Sequence, residues 1–576
     1  MKTRVKLTQS PYDAAVEAAL DFLSKGDDAK AAEYAEAAFQ LRPDDAEALS
    51  LYGLCLVKTP DTREVGFTHL RRAVELEPKE PRWHVHLGQG LTHEKRYDDA
   101  EKSYAAAAEL SGGHSAIVME WGRTVFKAGR PADASQIYAR VIQKNPNNTA
   151  AWFAAYEALL AAGDTVNAVF AYEKAHPAEG RSESAIAQLA DLNITLGHYD
   201  KAQSFNDRLL EKNAGNPGAG LRAANLMRWR GDIDAAKTLQ EKHWSENKSH
   251  AGLAAALLHD GNGASYDNAK TIAMDEALSL DDRRHCAFAL CAYADKNKDR
   301  AEAWEWAELA NSLYAEPNSA HGLDELRALL DKAIAAYQLI PQIKTNDMTA
   351  SKLVYIIGPP RSGGSLLQTI LSRHPGARSV GERGALLGFI PQLLDHPESL
   401  AAQTEALAKA DIAGMVRAVG IADYFIDKTP HYFLIAGLLE KVHAGARFVA
   451  PYRDMTDMAV SLYFHEFGKE FPFTRSLQDI KDYLDFHDAA LARWRDVGVK
   501  IVSHNHDRFV QDTDERGAAL CEALGFNWSK DMLEPSAQDG VVRTFSARQV
   551  RNGVSGQYKG RGDKYKSYLI AAGFSD

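Results

Sequence analysis

The chain holds only four cysteines in 576 residues, Cys55, Cys286, Cys291 and Cys521, and none are paired in spacing. That scarcity excludes a disulfide scaffold, leaves no zinc-finger or ribbon ligand set, and fits a reducing compartment. No stretch approaches the ~20 uninterrupted apolar residues that cross a bilayer. The opening MKTRVKLTQSPYD has charges but no apolar signal core after it. Neither a signal peptide nor a membrane span is expected, and a cytoplasmic location is. An excess of positive charge is missing too: Lys plus Arg number 67 against 78 Asp plus Glu, a net charge of -11. The whole imbalance lies in residues 1–340, with 39 basic and 50 acidic residues, whereas 341–576 carry 28 of each. An acidic field repels phosphates, so no nucleic-acid partner is expected. What remains is an ordinary globular composition, 45% hydrophobic and 25% charged, in a chain long enough for several core-sized units.

Two differently patterned parts follow. Pro43, Pro78, Pro146 and Pro217 read as the ends of helical stretches, and their separations approximate one, two and two periods of ~34 residues, the signature of stacked helix pairs. Ala31, Gly66, Ala100 and Ala134 each fall twelve residues before a unit boundary, where two helices must touch. Gly88 and Gly122 recur at the same period, as do Tyr104 and Tyr138. These residues resemble the tetratricopeptide repeat, strongly over 27–146 and more weakly to about 317. The resemblance implies an α-solenoid over 1–320, its later repeats degenerate, with a groove that engages a peptide, an acceptor or a protein partner. A helical connector is expected over 321–350.

From 351 to 576 short β-branched or aromatic runs (Leu353 to Ile357, Tyr424 to Ile426, Arg447 to Ala450, Lys500 to Ser503) alternate with longer helical ones, which predicts an α/β domain with a parallel sheet. Its most informative segment runs from Leu353 to Leu367: a buried strand, the Gly/Pro turn Gly358-Pro-Pro-Arg361-Ser362-Gly363-Gly364, then a helix from Ser365. Such a turn aims successive N–H groups and a helix N-terminus at an anion. Against the Walker pattern the lysine is replaced by Gly364, so a kinase or ATPase would lack its γ-phosphate cation. Arg361 puts a planar, bidentate cation in the loop instead. A second segment, Arg447-Phe-Val-Ala-Pro-Tyr-Arg453-Asp454, ends a strand in arginine, and Ser461 follows two helical turns later.

In this order and spacing the two segments resemble the 5'-phosphosulfate loop and 3'-phosphate motif of sulfotransferases that use 3'-phosphoadenosine-5'-phosphosulfate (PAPS). The resemblance implies a P-loop-like phosphosulfate-binding loop formed by Arg361, Ser362, Gly363, Gly364 and Ser365, with Arg453 and Ser461 on the 3'-phosphate. A finer likeness is to the tyrosylprotein sulfotransferase branch and its bacterial relatives with repeat arrays. His374-Pro…Gly381-Glu382 matches a segment whose glutamate is the base, and Phe425-Ile-Asp427-Lys428-Thr-Pro430 one whose lysine steadies the sulfuryl group. His506 lies where relatives carry a tyrosine beside the adenine. Ser546, Gln549, Arg551 and Arg561 fall in a C-terminal segment that resembles the one closing over the nucleotide in these relatives. The implied activity is sulfuryl transfer from PAPS to a hydroxyl of a protein or peptide tyrosine or of a glycan, without a metal. The alternative is a non-catalytic repeat interaction protein with a degenerate nucleotide-binding domain, which Gly364 keeps open because relatives usually place a hydroxyl residue there.

Simpler roles exist for some of these residues. Glu382 after a glycine can be a solvated turn residue, and Arg453 with Ser461 can cap a helix entry together with Asp454. His504 and His506 share one strand face, but no third ligand has metal-site spacing.

Overall fold

The structure, a computed structural model, describes residues 10–162, 164–178, 180–314, 320–340, 352–394, 396–468, 471–534 and 559–574. The chain divides into two compact units, Met1–Leu196 and Gly197–Asp576.

The first unit is a run of helices from Pro11–Lys25 to Glu183–Thr195 joined by short turns. Local chemistry starts them. Ser10, Asp27, Asp45, Asn148, Asp164 and Ser182 each accept a backbone N–H of the first turn. Pro11, Pro81 and Pro131 occupy first helical positions, where no N–H is missed. The 34-residue period is one contact made twice: a Cβ on Gly88 would lie 2.9 Å from the Tyr104 ring, and one on Gly122 2.4 Å from Tyr138. Ala31, Ala100 and Ala134 are fully buried. We expect Gly122→Ala to lower stability by about 1–3 kcal/mol through overpacking against Tyr138, read as a drop in Tm. Pro43, Pro78 and Pro146 follow helices that end two residues earlier. Pro217 does not: it opens the helix Pro217–Arg230, with Asn216 accepting the Ala219 N–H at 2.9 Å. A proline marks either end of a helix equally well, since it neither donates at the first position nor continues past the last.

In the second unit, helices from Tyr199–Lys212 to Ala320–Leu339 precede five parallel strands: β1 (Lys352–Ile356), β2 (Ala377–Gly381), β3 (Tyr424–Asp427), β4 (Arg447–Tyr452) and β5 (Ile501–Asn505). Their order is β2-β3-β1-β4-β5. Alternate residues of β1 enter different cores. Val354 and Ile356 join Leu367, Ile426 and Phe509 on one face; Leu353 and Tyr355 join Phe425, Phe448 and Trp494 on the other. That two-sided burial explains the unbroken apolar run of β1. The second core continues into the helices through Leu253, Cys286, Trp304 and Ala333, and Trp304 stacks on Tyr568 at 4.3 Å. The helices from 244 onward and the sheet therefore share one hydrophobic core. Packing divides the chain at 196/197, although the secondary structure changes from helix to sheet only after Leu339.

Strand β2 and the helix Pro397–Val419 are additions to the sequence reading. The first is a short, half-exposed edge strand with a register shift between Ser379 and Gly381. The second turns the polar Thr404 and Asp411 inward beside Leu400 and Met415, which hides its apolar stripe.

Candidate functional site

Strand order sets where the site lies. The chain leaves β1 toward β2 and leaves β4 toward β5, so a crevice opens at the carboxyl ends of the adjacent strands β1 and β4, the place where open α/β sheets take ligands. There the loop after β1 touches the end of β4: a Cβ on Gly358 would lie 2.6 Å from the Pro451 carbonyl oxygen. Ser362 is buried and donates its hydroxyl to the Pro359 carbonyl at 2.7 Å, closing the turn. Gly363 has φ 100°, and an added Cβ would lie 2.3 Å from His506 Nδ1, which places the His506 ring against the loop. Gly364 opens the helix Gly364–Ser372, on which Ser365 follows. A Cβ on Gly364 would sit 3.3 Å from the Lys428 stem, so the absence of a side chain there makes room for that lysine.

Arg361 has φ 68°, a left-handed conformation that costs a non-glycine residue on the order of 1 kcal/mol. Its guanidinium Nε donates to Ser461 Oγ at 2.8 Å, joining residues one hundred positions apart. Ser461 is buried on the helix Met455–Tyr463. His465, just beyond it, has a buried Nδ1 without a hydrogen-bond partner; burial first, then Arg361 and Arg561, depress its pKa well below the usual imidazole value.

At the ends of β2 and β3, Lys428 donates its ammonium to Glu382 Oε1. The lysine side chain is 11% exposed and the glutamate 48%, so the carboxylate faces solvent and the cation lies beneath it. The Lys428 N–H also donates to the Gly381 carbonyl at 2.9 Å. The neighbouring Arg383 turns inward to buried Asp411, whose other oxygen meets His443 Nε2 at 3.0 Å.

Arg453 lies at the crevice beyond β4. Its Nε donates to Asp507 at 3.2 Å and its Nη2 to buried Asp457 at 3.4 Å. Asp454 caps the following helix through the N–H groups of Thr456 and Asp457. Asp457 also accepts Gly560 N–H at 2.9 Å and Gly562 N–H at 2.7 Å, which ties the segment around 560 to the Arg453 helix. Burial, then Arg453, lowers the His506 pKa to about 4, so its ring is neutral at physiological pH. Arg561 pairs with Asp295 at 2.8 Å, and Tyr565 donates to the same carboxylate at 2.6 Å. The Arg561 Nε is buried without a partner.

Of the residues singled out in the sequence, Arg361 and Ser461 meet directly, as do Glu382 and Lys428, while Gly363 and His506 are juxtaposed, as are Gly364 and the Lys428 stem. Arg453 and Arg561 point at carboxylates, Asp507, Asp457 and Asp295. Ser546, Gln549 and Arg551 lie outside the described residues. Sequence reasoning assigned no role to Asp457, Asp507, Asp411 or Asp295. The only local signal for the first was its position four residues after Arg453, one helical turn on. Among the described residues no group of three or more His, Cys, Asp or Glu side chains could hold a metal, and no helix is long and apolar enough to cross a membrane.

Residues 354–530 match the Sulfotransferase family, and residues 16–62 and 91–159 match the Tetratricopeptide repeat. An uncharacterized protein of Aquifex aeolicus (strain VF5) is 23% identical over 547 residues, spanning 82% of this chain and 71% of its own length. Pseudomonas aeruginosa pilF is similar over 36% of this chain and 95% of that one, with 19% identity and a TM-score of 0.28. YrrB, a TPR protein with an unusual peptide-binding site, is similar over 33% of this chain and 96% of its own, with 17% identity and a TM-score of 0.26. The chain thus carries tetratricopeptide repeats followed by a sulfotransferase-family domain built on a parallel five-stranded sheet.

Proposed function

We propose that the protein transfers the sulfuryl group of PAPS to a hydroxyl acceptor, a protein or peptide tyrosine or a glycan, and that the first-unit repeats engage the acceptor or a partner protein. The observation that carries this reading is the bond from Arg361 to Ser461, which unites the two phosphate motifs at one crevice beside Glu382 and Lys428. The residues present suit such a donor. The glycine cradle of 358–364 and the buried Nε of Arg561 offer donors to an anion. Arg361 and the loop N–H groups would hold the 5'-phosphosulfate, and Arg453 with Ser461 the 3'-phosphate, with His506 beside the base.

The bound donor supplies the sulfuryl group and a phosphate leaving group. Glu382 takes the acceptor proton as the acceptor oxygen bonds to sulfur and the bond from sulfur to the bridging phosphate oxygen breaks. Lys428 and Arg361 meet the charge that develops on the sulfuryl and leaving oxygens. Pairing with Lys428 keeps the solvent-facing Glu382 oriented toward the crevice before the donor arrives. The test is thermal stabilisation by 3',5'-adenosine bisphosphate together with label transfer from PAPS to a peptide or glycan acceptor. A protein that ignores the bisphosphate contradicts the reading.

Core continuity gives a further expectation. Removing residues 1–196 should leave bisphosphate binding intact and raise the acceptor KM, because groove contacts remote from the chemistry contribute equally to ground and transition states. Cutting near Asp347 instead would strip Trp304 and Ala333 from the shared core, and the remainder should fail to fold. Calorimetry and acceptor kinetics on the two truncated chains check both outcomes.

A further inference from the structure

Beneath the Glu382–Lys428 pair lies a buried polar cluster that the transfer chemistry does not use. Asp427 ends β3 with no exposed surface, and its Oδ2 has no hydrogen-bond partner. Its Oδ1 accepts the Thr429 hydroxyl at 2.6 Å. The same Thr429 oxygen accepts the Gly384 N–H at 3.0 Å, and the Tyr432 hydroxyl accepts the Leu386 N–H at 3.3 Å. The segment that follows Glu382 is therefore hung from β3 and the turn after it, while Arg383 anchors it to Asp411. The ionisable groups around Asp427 come from every neighbouring element: Glu382 and Arg383 after β2, Asp411 on the helix Pro397–Val419, Tyr355 on β1, Lys428 and Tyr432 beyond β3, and His443 through Asp411.

We propose that Asp427 is a positioning residue that works in its neutral form, the Thr429 bridge holding the Glu382 segment in register, and that its ionisation, although it tightens the Thr429 bond, draws Arg383 and Lys428 toward Asp427 and so displaces this segment. The inference rests on the sulfuryl-transfer reading for its consequence but not for its geometry. A protonated carboxyl suits a site that offers one hydroxyl and leaves the second oxygen bare, because a buried carboxylate demands a counter-charge. Burial, partly offset by the Thr429 hydrogen bond, pushes the Asp427 pKa up to about 7. Once ionised, the group competes for the nearest cations. Arg383 is held by Asp411 and Lys428 by Glu382, and since Arg383 directly follows Glu382, a pull on either cation moves the carboxylate that takes the acceptor proton.

The test uses the full chain and Asp427→Asn, which keeps the shape and removes the titration. Hydrogen exchange over residues 381–386, corrected for the intrinsic rate, should accelerate severalfold in the parent as pH rises through neutrality and stay slow in Asp427→Asn. Turnover should fall over the same range in the parent and not in the variant, with bisphosphate affinity equal in both. Parallel exchange profiles, or a variant disabled at every pH, would overturn the proposal. Thr429→Val is the second variant: it removes the bridge to Gly384 and should speed exchange there and lower kcat at all pH values with bisphosphate affinity unchanged. Unaltered exchange in Thr429→Val also overturns it. The expected exchange behaviour in a protein that transfers no sulfuryl group would support the positioning role and remove the catalytic reading. Transfer with parallel pH profiles in parent and Asp427→Asn would do the reverse.

Discussion

Glu382→Gln should lower sulfuryl transfer by roughly a hundredfold or more, the size of the effect when a positioned proton acceptor is lost. Glutamine keeps the side-chain volume and still accepts a hydrogen bond from Lys428, so the end of β2 should hold its conformation. Because the substitution also deletes a negative charge beside the proposed nucleotide site, bisphosphate affinity should stay level or tighten slightly. The loss should appear in kcat rather than in donor KM, since the interaction removed is made only as the acceptor proton moves. Single-turnover kinetics with saturating PAPS separate these outcomes. Retained turnover would assign the base elsewhere, and a collapse of nucleotide binding would make Glu382 a structural partner of Lys428.

The second large effect concerns nucleotide identity. The parent should bind 3',5'-adenosine bisphosphate far more tightly than AMP, and Arg453→Ala should erase the preference, because a charge-assisted contact to a desolvated phosphate is worth on the order of 2–5 kcal/mol. Arg453 also stands between Asp507 and buried Asp457, so its removal leaves two carboxylates without their cation and should lower Tm as well. Arg453→Lys is the control. It restores much of the stability through its charge but recovers only part of the phosphate preference, since an ammonium cannot reproduce the bidentate fork. Calorimetric titrations of the three proteins with both nucleotides, at one salt concentration, decide the matter. Equal affinity of the parent for AMP and the bisphosphate would refute the assignment of Arg453 and Ser461 to the 3'-phosphate.

Much of the fold is legible locally. Recurrence of Gly88 with Gly122 and of Tyr104 with Tyr138 announces helix pairs because a ring can lie on a helix only where no side chain intervenes. Gly358 to Gly364 between an apolar strand and a helix announces a tight strand-to-helix turn because few other residues bend the chain so tightly. Strand β2 escaped notice because an edge strand needs no apolar alternation, and the helix Pro397–Val419 because Asp411, a charged residue, faces inward to Arg383 and His443.

By itself, then, the sequence determined the helical repeats, the parallel sheet and the glycine-rich turn between a strand and a helix, since these follow from backbone preference and spacing within a few turns of chain. Tertiary structure alone decided the partnerships: Arg361 with Ser461, Glu382 with Lys428, Arg453 with Asp457 and Asp507, and Arg561 with Asp295. It also decided that the helices from 244 onward share the core of the sheet. Most of these contacts join residues tens to hundreds of positions apart. Those at the crevice exist because the strand order β2-β3-β1-β4-β5 delivers separate loops to the carboxyl ends of the strands, and no local pattern of side chains encodes which loops will meet there.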